Sequence, residues 1–245
     1  MQFIHDIIAA KQAAGKPAIS FEFFPFKTDK GEQTFFQKTL PALKELNPDF
    51  CSVTYGAGGS TRDKTLEIVE RIQREFEIPT MAHLTCVCST REQIGQVLDE
   101  AEARGIRNIL ALRGDAPDGG EWTRTEGGFE YSGELIEFIR ARDTFSIGCA
   151  GFPEGHIASS DKRTDWGHLK GKFDSGAEFA LSQLFFDNAD FFEFTAHMRD
   201  ELGVASPIIP GIIAILSAAQ IKRFTALCGS RLPAPLLQSL DELGD

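Results

Sequence analysis

The sequence predicts an α/β chain folded as a (β/α)8 TIM-type barrel that lacks its eighth strand, as one domain over residues 1–245. Three observations carry this expectation. Seven short runs rich in β-branched and aromatic residues are nearly continuously apolar, as strands are when both faces of a parallel sheet are covered. The stretches between them show helical periods. The strand starts recur about every thirty residues, the length of a βα unit, which favours a barrel over a doubly wound sheet.

The elements follow in order. "MQFIHDIIAAKQAAGK" sets Phe3, Ile4, Ile7 and Ile8 at helical spacing with charges between, which reads as a helix capping a core and not as a signal peptide. Strands are expected at "AISFEFF" (18–24), "FCSVTYG" (50–56), "TMAHLTC" (80–86) and "NILALRG" (108–114). Three more are expected at "FSIGCAG" (145–151), "FALSQLFF" (179–186) and "PIIPGII" (207–213). The clearest helix is "TRDKTLEIVERIQREF", where Leu66, Val69, Ile72 and Phe76 form a stripe and Glu67, Glu70, Arg71 and Arg74 face water. After the helix "AAQIKRFTALCG" the chain offers only "RLPAPLLQSLDELGD", a short helix, so the barrel is open, is completed by another element, or belongs to a truncated chain.

Composition excludes several classes. A net charge of -11 argues against binding a nucleic-acid backbone, which calls for a basic face. The most apolar stretch, Pro207 to Ala219, is too short to span a membrane and is broken by Pro210 and Gly211, so a soluble, cytoplasmic protein is expected. The cysteines Cys51, Cys86, Cys88, Cys149 and Cys228 are odd in number and sit mostly in apolar segments, as reduced core thiols do. The segment "HLTCVC" begins as a strand and has no second Cys/His cluster, so no metal is expected. Neither G-x-S-x-G nor G-x-G-x-x-G occurs.

Barrel enzymes place their chemistry at the carboxyl ends of the strands. The polar residues there are Glu22; Thr54 and Tyr55, before the turn "GAGGS"; His83 and Thr85; "RGD" at Arg113 to Asp115; "FPEGH" at Phe152 to His156; and Gln183 with Asp187. In a barrel these groups converge on one mouth. Each has a duller reading: His83 as a hydrogen-bonded structural residue, Arg113 and Asp115 as partners of neighbours, Glu22 as a buried partner of an Arg or Lys, and the "GAGGS" glycines as a tight turn.

At these residues the sequence resembles the methylenetetrahydrofolate reductase family, flavoproteins on a (β/α)8 barrel. The matching segments are "SFEFFPFKT", "SVTYGAGGSTRDKT", "AHLTCVCSTREQ", "GIRNILALRGDAP", "FPEGH", "LKGKFDSGAEFALSQLFFDN" and "PIIPGI", in the family's order along nearly the whole chain. The resemblance implies reduction of 5,10-methylenetetrahydrofolate to 5-methyltetrahydrofolate, with NADH or NADPH as donor and FAD as cofactor, in the one-carbon metabolism that feeds methionine biosynthesis. It also implies a homo-oligomer. Glu22 matches the family's general acid, which protonates the departing nitrogen as the methylene bridge opens. The phenylalanines beside it supply a reason for a raised pKa, since desolvation favours the neutral carboxyl.

Asp115, by similarity, stabilises the cationic folate iminium beside the flavin. Gln183 matches a pterin-binding residue, and Gln220 and Phe224 match further folate contacts. For FAD the pattern carries over onto Thr54, His83, Arg113, Gly114, Asp115, Tyr131 and Ser132, and onto Phe152, His156, Asp165, His168 and Lys172. There are departures. Gly171 stands where a basic residue near the FAD phosphates is common, His168 where asparagine is common, and Phe152 where tyrosine is common. Phe26 and Ala214 replace prolines, and the family's last strand, with its "FYTLN"-like motif and a substrate-contacting arginine, has no counterpart in this sequence. Two rival readings follow: a member using another electron donor or no tightly held flavin, and a flavin- or folate-binding protein without turnover.

Overall fold

The computed structural model describes residues 2–55, 62–116, 120 and 122–243. The chain divides into two compact units, Met1–Gly148 and Cys149–Asp245. Each is built from parallel strands alternating with helices, the α/β class that the sequence predicts.

In the first unit, helix α1 (Ile4–Ala13) buries Ile4, Ile7 and Ile8, the stripe its spacing predicts. It is anchored by the Ile4 N–H, which donates to Asn108 Oδ1 at 2.8 Å. Strand β1 (Ser20–Phe23) leads to α2 (Asp29–Thr34), capped by Thr28 Oγ1, which accepts from the Gly31 N–H at 3.1 Å. A π-helical turn over Phe35–Thr39 passes into α3 (Leu40–Lys44) and turns Phe35 and Phe36 inward. Next come β2 (Phe50–Val53), α4 (Arg62–Phe76), β3 (Thr80–Thr85), α5 (Arg91–Ala103), β4 (Asn108–Leu112), α6 (Ser132–Arg140) and the start of β5 (Ser146–Gly151). On α4, Leu66, Val69 and Ile72 are at most 2% exposed, as the stripe requires, and Phe76 packs on Phe36 with 6.2 Å between ring centroids. Glu70 on its outer side pairs with Arg104 at 2.6 Å.

The second unit holds the end of β5, then α7 (Lys162–Asp174), β6 (Phe179–Ser182), α8 (Asn188–Asp200), β7 (Ile208–Ile209), α9 (Ala218–Cys228) and α10 (Ala234–Leu243). Asp161, Asp187 and Ser217 cap α7, α8 and α9 through side-chain oxygens, and Gly229 ends α9 in the left-handed conformation. Trp166, Phe179, Phe194 and Met198 are fully buried. A smaller cluster joins Ala218, Ile221 and Leu240 to Phe186, Ile213, Ile215, Leu232 and Leu236.

Most strands stop short of the ends that apolarity predicts, and local chemistry explains where. β4 stops before Gly114, whose φ of +85° turns the chain. β6 stops at Ser182 because Gln183 takes the Leu184 N–H on its own side-chain oxygen, at 2.8 Å. The predicted seventh strand shrinks to Ile208–Ile209. Pro210 has no N–H for a ladder, and an added Cβ at Gly211 would lie 2.3 Å from the Ser182 carbonyl oxygen. Among the described residues no strand follows β7, and the predicted terminal helix is α10. No helix there is long and apolar enough to cross a membrane. Cys51, Cys86 and Cys149 are buried, with burial pushing the thiols up to about 12, 11 and 11; Cys228 is half-buried and Cys88 exposed.

Candidate active site

Register builds the first cluster. Glu22 stands opposite Ser52, and Ser52 opposite Met81, so the strand period of two puts Glu22, Ser52, Thr54, His83 and Thr85 on one face. Ser52 Oγ donates to Glu22 Oε2 at 3.3 Å, and His83 Nε2 lies 3.4 Å from the same oxygen. The His83 approach is a close contact and not an aligned hydrogen bond: among the described residues the buried Nε2 has no hydrogen-bond partner, and neither does the buried Thr85 Oγ1. Thr54 is buried, and its carbonyl accepts from Thr65 Oγ1 at 3.0 Å.

The expectation that phenylalanines envelop Glu22 and keep it protonated is corrected here. Alternation turns Phe21 and Phe23 to the opposite face from Glu22. Phe23 and Phe26 pack on Phe35, with ring centroids 4.7 and 4.8 Å apart, and Phe24 is 65% exposed. The Glu22 side chain itself is 46% exposed. Burial pushes its carboxyl up, but the contact and charge of His83 and the hydrogen bond from Ser52 outweigh burial and hold it below the ordinary glutamate value. Its partners are therefore a histidine and a serine, not an Arg or Lys.

The β4 loop carries the next candidates. The Arg113 carbonyl accepts from the Val87 N–H at 3.0 Å, and its guanidinium stands 5.1 Å from the Trp122 ring centroid. A Cβ on Gly114 would fall 2.6 Å from Val87 Cγ1, so close packing as well as a positive φ demands glycine. Asp115 is exposed, and among the described residues neither it nor Arg113 forms an ion pair. Tyr131 is 58% exposed, with its hydroxyl pushed up in pKa by the hydrogen bond and charge of Glu130; Ser132 is buried at the start of α6. The "GAGGS" turn lies outside the described residues.

A second cluster forms in the other unit, where Asp165, His168 and Lys172 follow one another along α7. Asp165 is 7% exposed, and burial raises its carboxyl above the ordinary aspartate value against the opposing charges of Lys172, His156 and His168. Lys172 Nζ donates to the Ala150 carbonyl at 2.9 Å and sits 5.8 Å from the Phe152 ring centroid. Phe152 meets the His156 ring edge-on at 4.7 Å, and its carbonyl accepts from Trp166 Nε1 at 2.9 Å. His168 is exposed. Gln183 follows β6, its N–H donating to the Gly151 carbonyl at 2.7 Å. Gln220 and Phe224 lie one turn apart on α9, where Gln220 is exposed and Phe224 half-buried.

One feature fits a polar ligand. The orphaned His83 Nε2 and Thr85 Oγ1 are buried polar atoms of a kind that a ligand satisfies. Nothing lies within 4 Å of a Cβ built on Gly171, so a side chain there meets open space. Among the described residues no cluster of three or more His, Cys, Asp or Glu is placed to hold a metal. Sequence reasoning missed Ser52. The signal for it was available, since Ser52 and Thr54 share a parity on β2 and Thr54 was already a candidate.

Comparison with known proteins bears on these clusters. Residues 6–245 match the methylenetetrahydrofolate reductase family. The chain is 38% identical over 252 residues to methylenetetrahydrofolate reductase (NADH) 1 of Arabidopsis thaliana, covering 98% of this chain and 42% of that protein. It is 34% identical over 237 residues to 5,10-methylenetetrahydrofolate reductase of Escherichia coli K12, covering 96% of this chain and 77% of that protein. The chain thus spans less than half the length of the plant relative. Among solved structures, a protein from Clostridium thermocellum that binds two copies of 5-methyl-5,6,7,8-tetrahydrofolic acid shares the fold with a TM-score of 0.69 at 14% identity, covering 98% of this chain and 80% of that one.

Proposed function

The chain belongs to the methylenetetrahydrofolate reductase family, and from that premise we propose that it reduces 5,10-methylenetetrahydrofolate to 5-methyltetrahydrofolate with NAD(P)H as donor and FAD as cofactor, acting as a cytoplasmic homo-oligomer. The observation that carries this reading is Glu22, a carboxylate that accepts from Ser52 and lies 3.4 Å from His83 Nε2, on a face that also bears the buried Thr85 Oγ1, which among the described residues has no hydrogen-bond partner. Bound flavin supplies the hydride that the folate methylene accepts. In this reading the residues assigned to the flavin are Thr54, His83, Arg113, Gly114, Asp115, Tyr131, Ser132, Phe152, His156, Asp165, His168 and Lys172.

Opening the methylene bridge to an iminium needs one proton at the departing nitrogen. Glu22 delivers it, and its low pKa without ligand fixes when it can. Folate laid over a side chain that is 46% exposed removes the remaining water and adds to the upward push of burial, which in this reading overtakes the pull of His83 and Ser52. The carboxylate then takes up a proton as the substrate arrives. Asp115 supplies a fixed negative charge to the iminium. Gln183, whose Oε1 is committed to the Leu184 N–H, presents its amide nitrogen to the pterin, and Gln220 and Phe224 extend the folate contact.

The test is spectroscopic. Purified protein with FAD is expected to bleach when NADH or NADPH is added anaerobically and to recolour with methylenetetrahydrofolate. Turnover by colourless protein would replace the cofactor part of the proposal with another donor. Flavin that binds but never bleaches would replace reductase by binding protein.

A further inference from the structure

Away from both clusters, a dense set of polar ties gathers in the connection between α9 and α10. The Arg231 backbone N–H donates to both carboxylate oxygens of Glu154, at 3.2 and 3.1 Å, and its Nη2 donates to Asp190 Oδ2 at 2.8 Å. Ser230 Oγ donates to the Leu184 carbonyl at 2.6 Å. Gly229 lies against Ile157, where an added Cβ would meet the Ile157 Cβ at 3.4 Å. Three consecutive residues thus touch the β5–α7 connection, the β6–α8 connection and the first turn of α8.

One far end of these ties lies in a tight turn. Glu154 sits inside the turn closed by the Gly155 N–H on the Phe152 carbonyl, at 3.0 Å. Gly155 has φ of +84°, and a Cβ on it would lie 2.9 Å from Lys162 Cα, so the turn has no room to slide. Phe152 and His156 flank the turn, and Gln183 precedes Leu184. Beyond the backbone bonds, the guanidinium brings its charge to both acids, with Nε 3.9 Å from Glu154 Oε2 and Nη2 on Asp190. The Glu154 and Asp190 side chains are 18% and 20% exposed. Burial pushes the Glu154 carboxyl up, the Arg231 N–H and charge oppose it, and Asp190 and Asp187 add like-charge repulsion. Without the arginine the carboxylates of the two loops repel each other in a half-dry setting.

We propose that Arg231 is a positioning residue that clasps the two loops bearing Phe152, His156 and Gln183, and thereby fixes those side chains for flavin and folate. The loop-ordering half stands on geometry, and the ligand half rests on the reductase reading above. Backbone hydrogen exchange of the ligand-free protein, flavin titration and steady-state kinetics are compared for Arg231→Ala, Arg231→Lys and the triple change Arg231→Ala, Glu154→Gln, Asp190→Asn. Arg231→Ala keeps the backbone N–H on Glu154 and removes only the guanidinium, with its bond to Asp190 and its 3.9 Å approach to Glu154, and is expected to speed exchange several-fold at 154–158 and 184–187 with the rest of the chain little changed. It is also expected to weaken FAD binding several-fold and to raise folate KM more than it lowers kcat. The lysine variant recovers part of each effect, and the triple variant recovers slow exchange because the repulsion is gone.

Unchanged exchange in both loops, or a uniform acceleration across the second unit, overturns the clasp. Faster loop exchange with unaltered FAD affinity and folate KM overturns the positioning role. The exchange result needs no ligand, so a protein that proves not to be a reductase still decides whether the clasp exists.

Discussion

The carboxylates of the two clusters stand in opposite conditions. Glu22, at the end of β1, is nearly half exposed and held below its ordinary pKa; Asp165, on α7, is 7% exposed and held above it. Both feel burial as the largest push, and both have basic neighbours. The difference lies in the partners. Glu22 has a serine hydroxyl at 3.3 Å and an imidazole at 3.4 Å on one oxygen, whereas Asp165 accepts from the His156 backbone and the cation nearest in effect to it, Lys172, spends its Nζ on the Ala150 carbonyl. A carboxylate's state is thus decided by what touches its oxygens, not by how apolar the residues flanking it in sequence are.

The largest expected effect tests the first cluster. Glu22→Gln keeps the shape and the Ser52 contact but cannot deliver a proton, so folate reduction is expected to fall by about 10²–10⁴ while nicotinamide-driven flavin reduction stays nearly intact. Equal loss in both half-reactions, measured by stopped flow, would remove the acid assignment. A smaller effect tests the second cluster. Lys172→Met strips the Ala150 carbonyl of its donor and Asp165 of its main opposing charge, and is expected to cost about 1–3 kcal/mol in denaturant unfolding. Adding Asp165→Asn should recover part of that loss, and failure to recover any would show that the two residues are not coupled.

The pH dependence of stability separates the clusters by sign. With its folded pKa lowered, Glu22 contributes stability that is present above the ordinary glutamate value and lost as pH falls through the lowered one. With its folded pKa raised, Asp165 contributes stability that is present below the ordinary aspartate value and lost as pH rises through the raised one. Glu22→Gln should therefore flatten the acid side of the unfolding profile and Asp165→Asn the side above it, with the Glu22 effect reduced by solvent screening. Identical changes in slope would contradict the comparison. The smallest effect is at Gly171, where a side chain meets open space: Gly171→Ala is expected to add about 0.5–1 kcal/mol of stability, and Gly171→Lys to tighten FAD. Weaker flavin binding by the lysine variant would show that the phosphates lie elsewhere.

Much of the fold was legible because long apolar runs and helical stripes are read one segment at a time. Leu66, Val69 and Ile72 on α4, and Ile4, Ile7 and Ile8 on α1, are buried as their spacing demands. Strand ends were less legible, since they depend on single atoms: the Gln183 side chain capturing the Leu184 N–H, or Gly211 pressed on the Ser182 carbonyl. Of the candidate residues that the sequence names, the structure brings Glu22 and His83 together and, separately, Phe152, His156, Asp165 and Lys172. The state of Glu22 was misread because neighbours along a strand point to opposite faces, while its real partners lie 30 and 61 positions on, at Ser52 and His83. Arg231 and Glu154 are 77 positions apart, and no local pattern links them.

Proton uptake on folate binding is the direct test of the account, because the proposed acid role requires Glu22 to be ionised in the free protein and protonated beneath bound folate. Isotope-edited NMR of the Glu22 carboxyl carbon, with and without 5-methyltetrahydrofolate, reads this from the group itself, and a pH-indicator titration near neutrality counts the protons. The account expects a midpoint below the ordinary glutamate value in free protein, a rise on binding, and about one proton taken up per folate that Glu22→Gln no longer takes up. A carboxyl signal that folate does not move, or equal uptake by the Glu22→Gln variant, would contradict it.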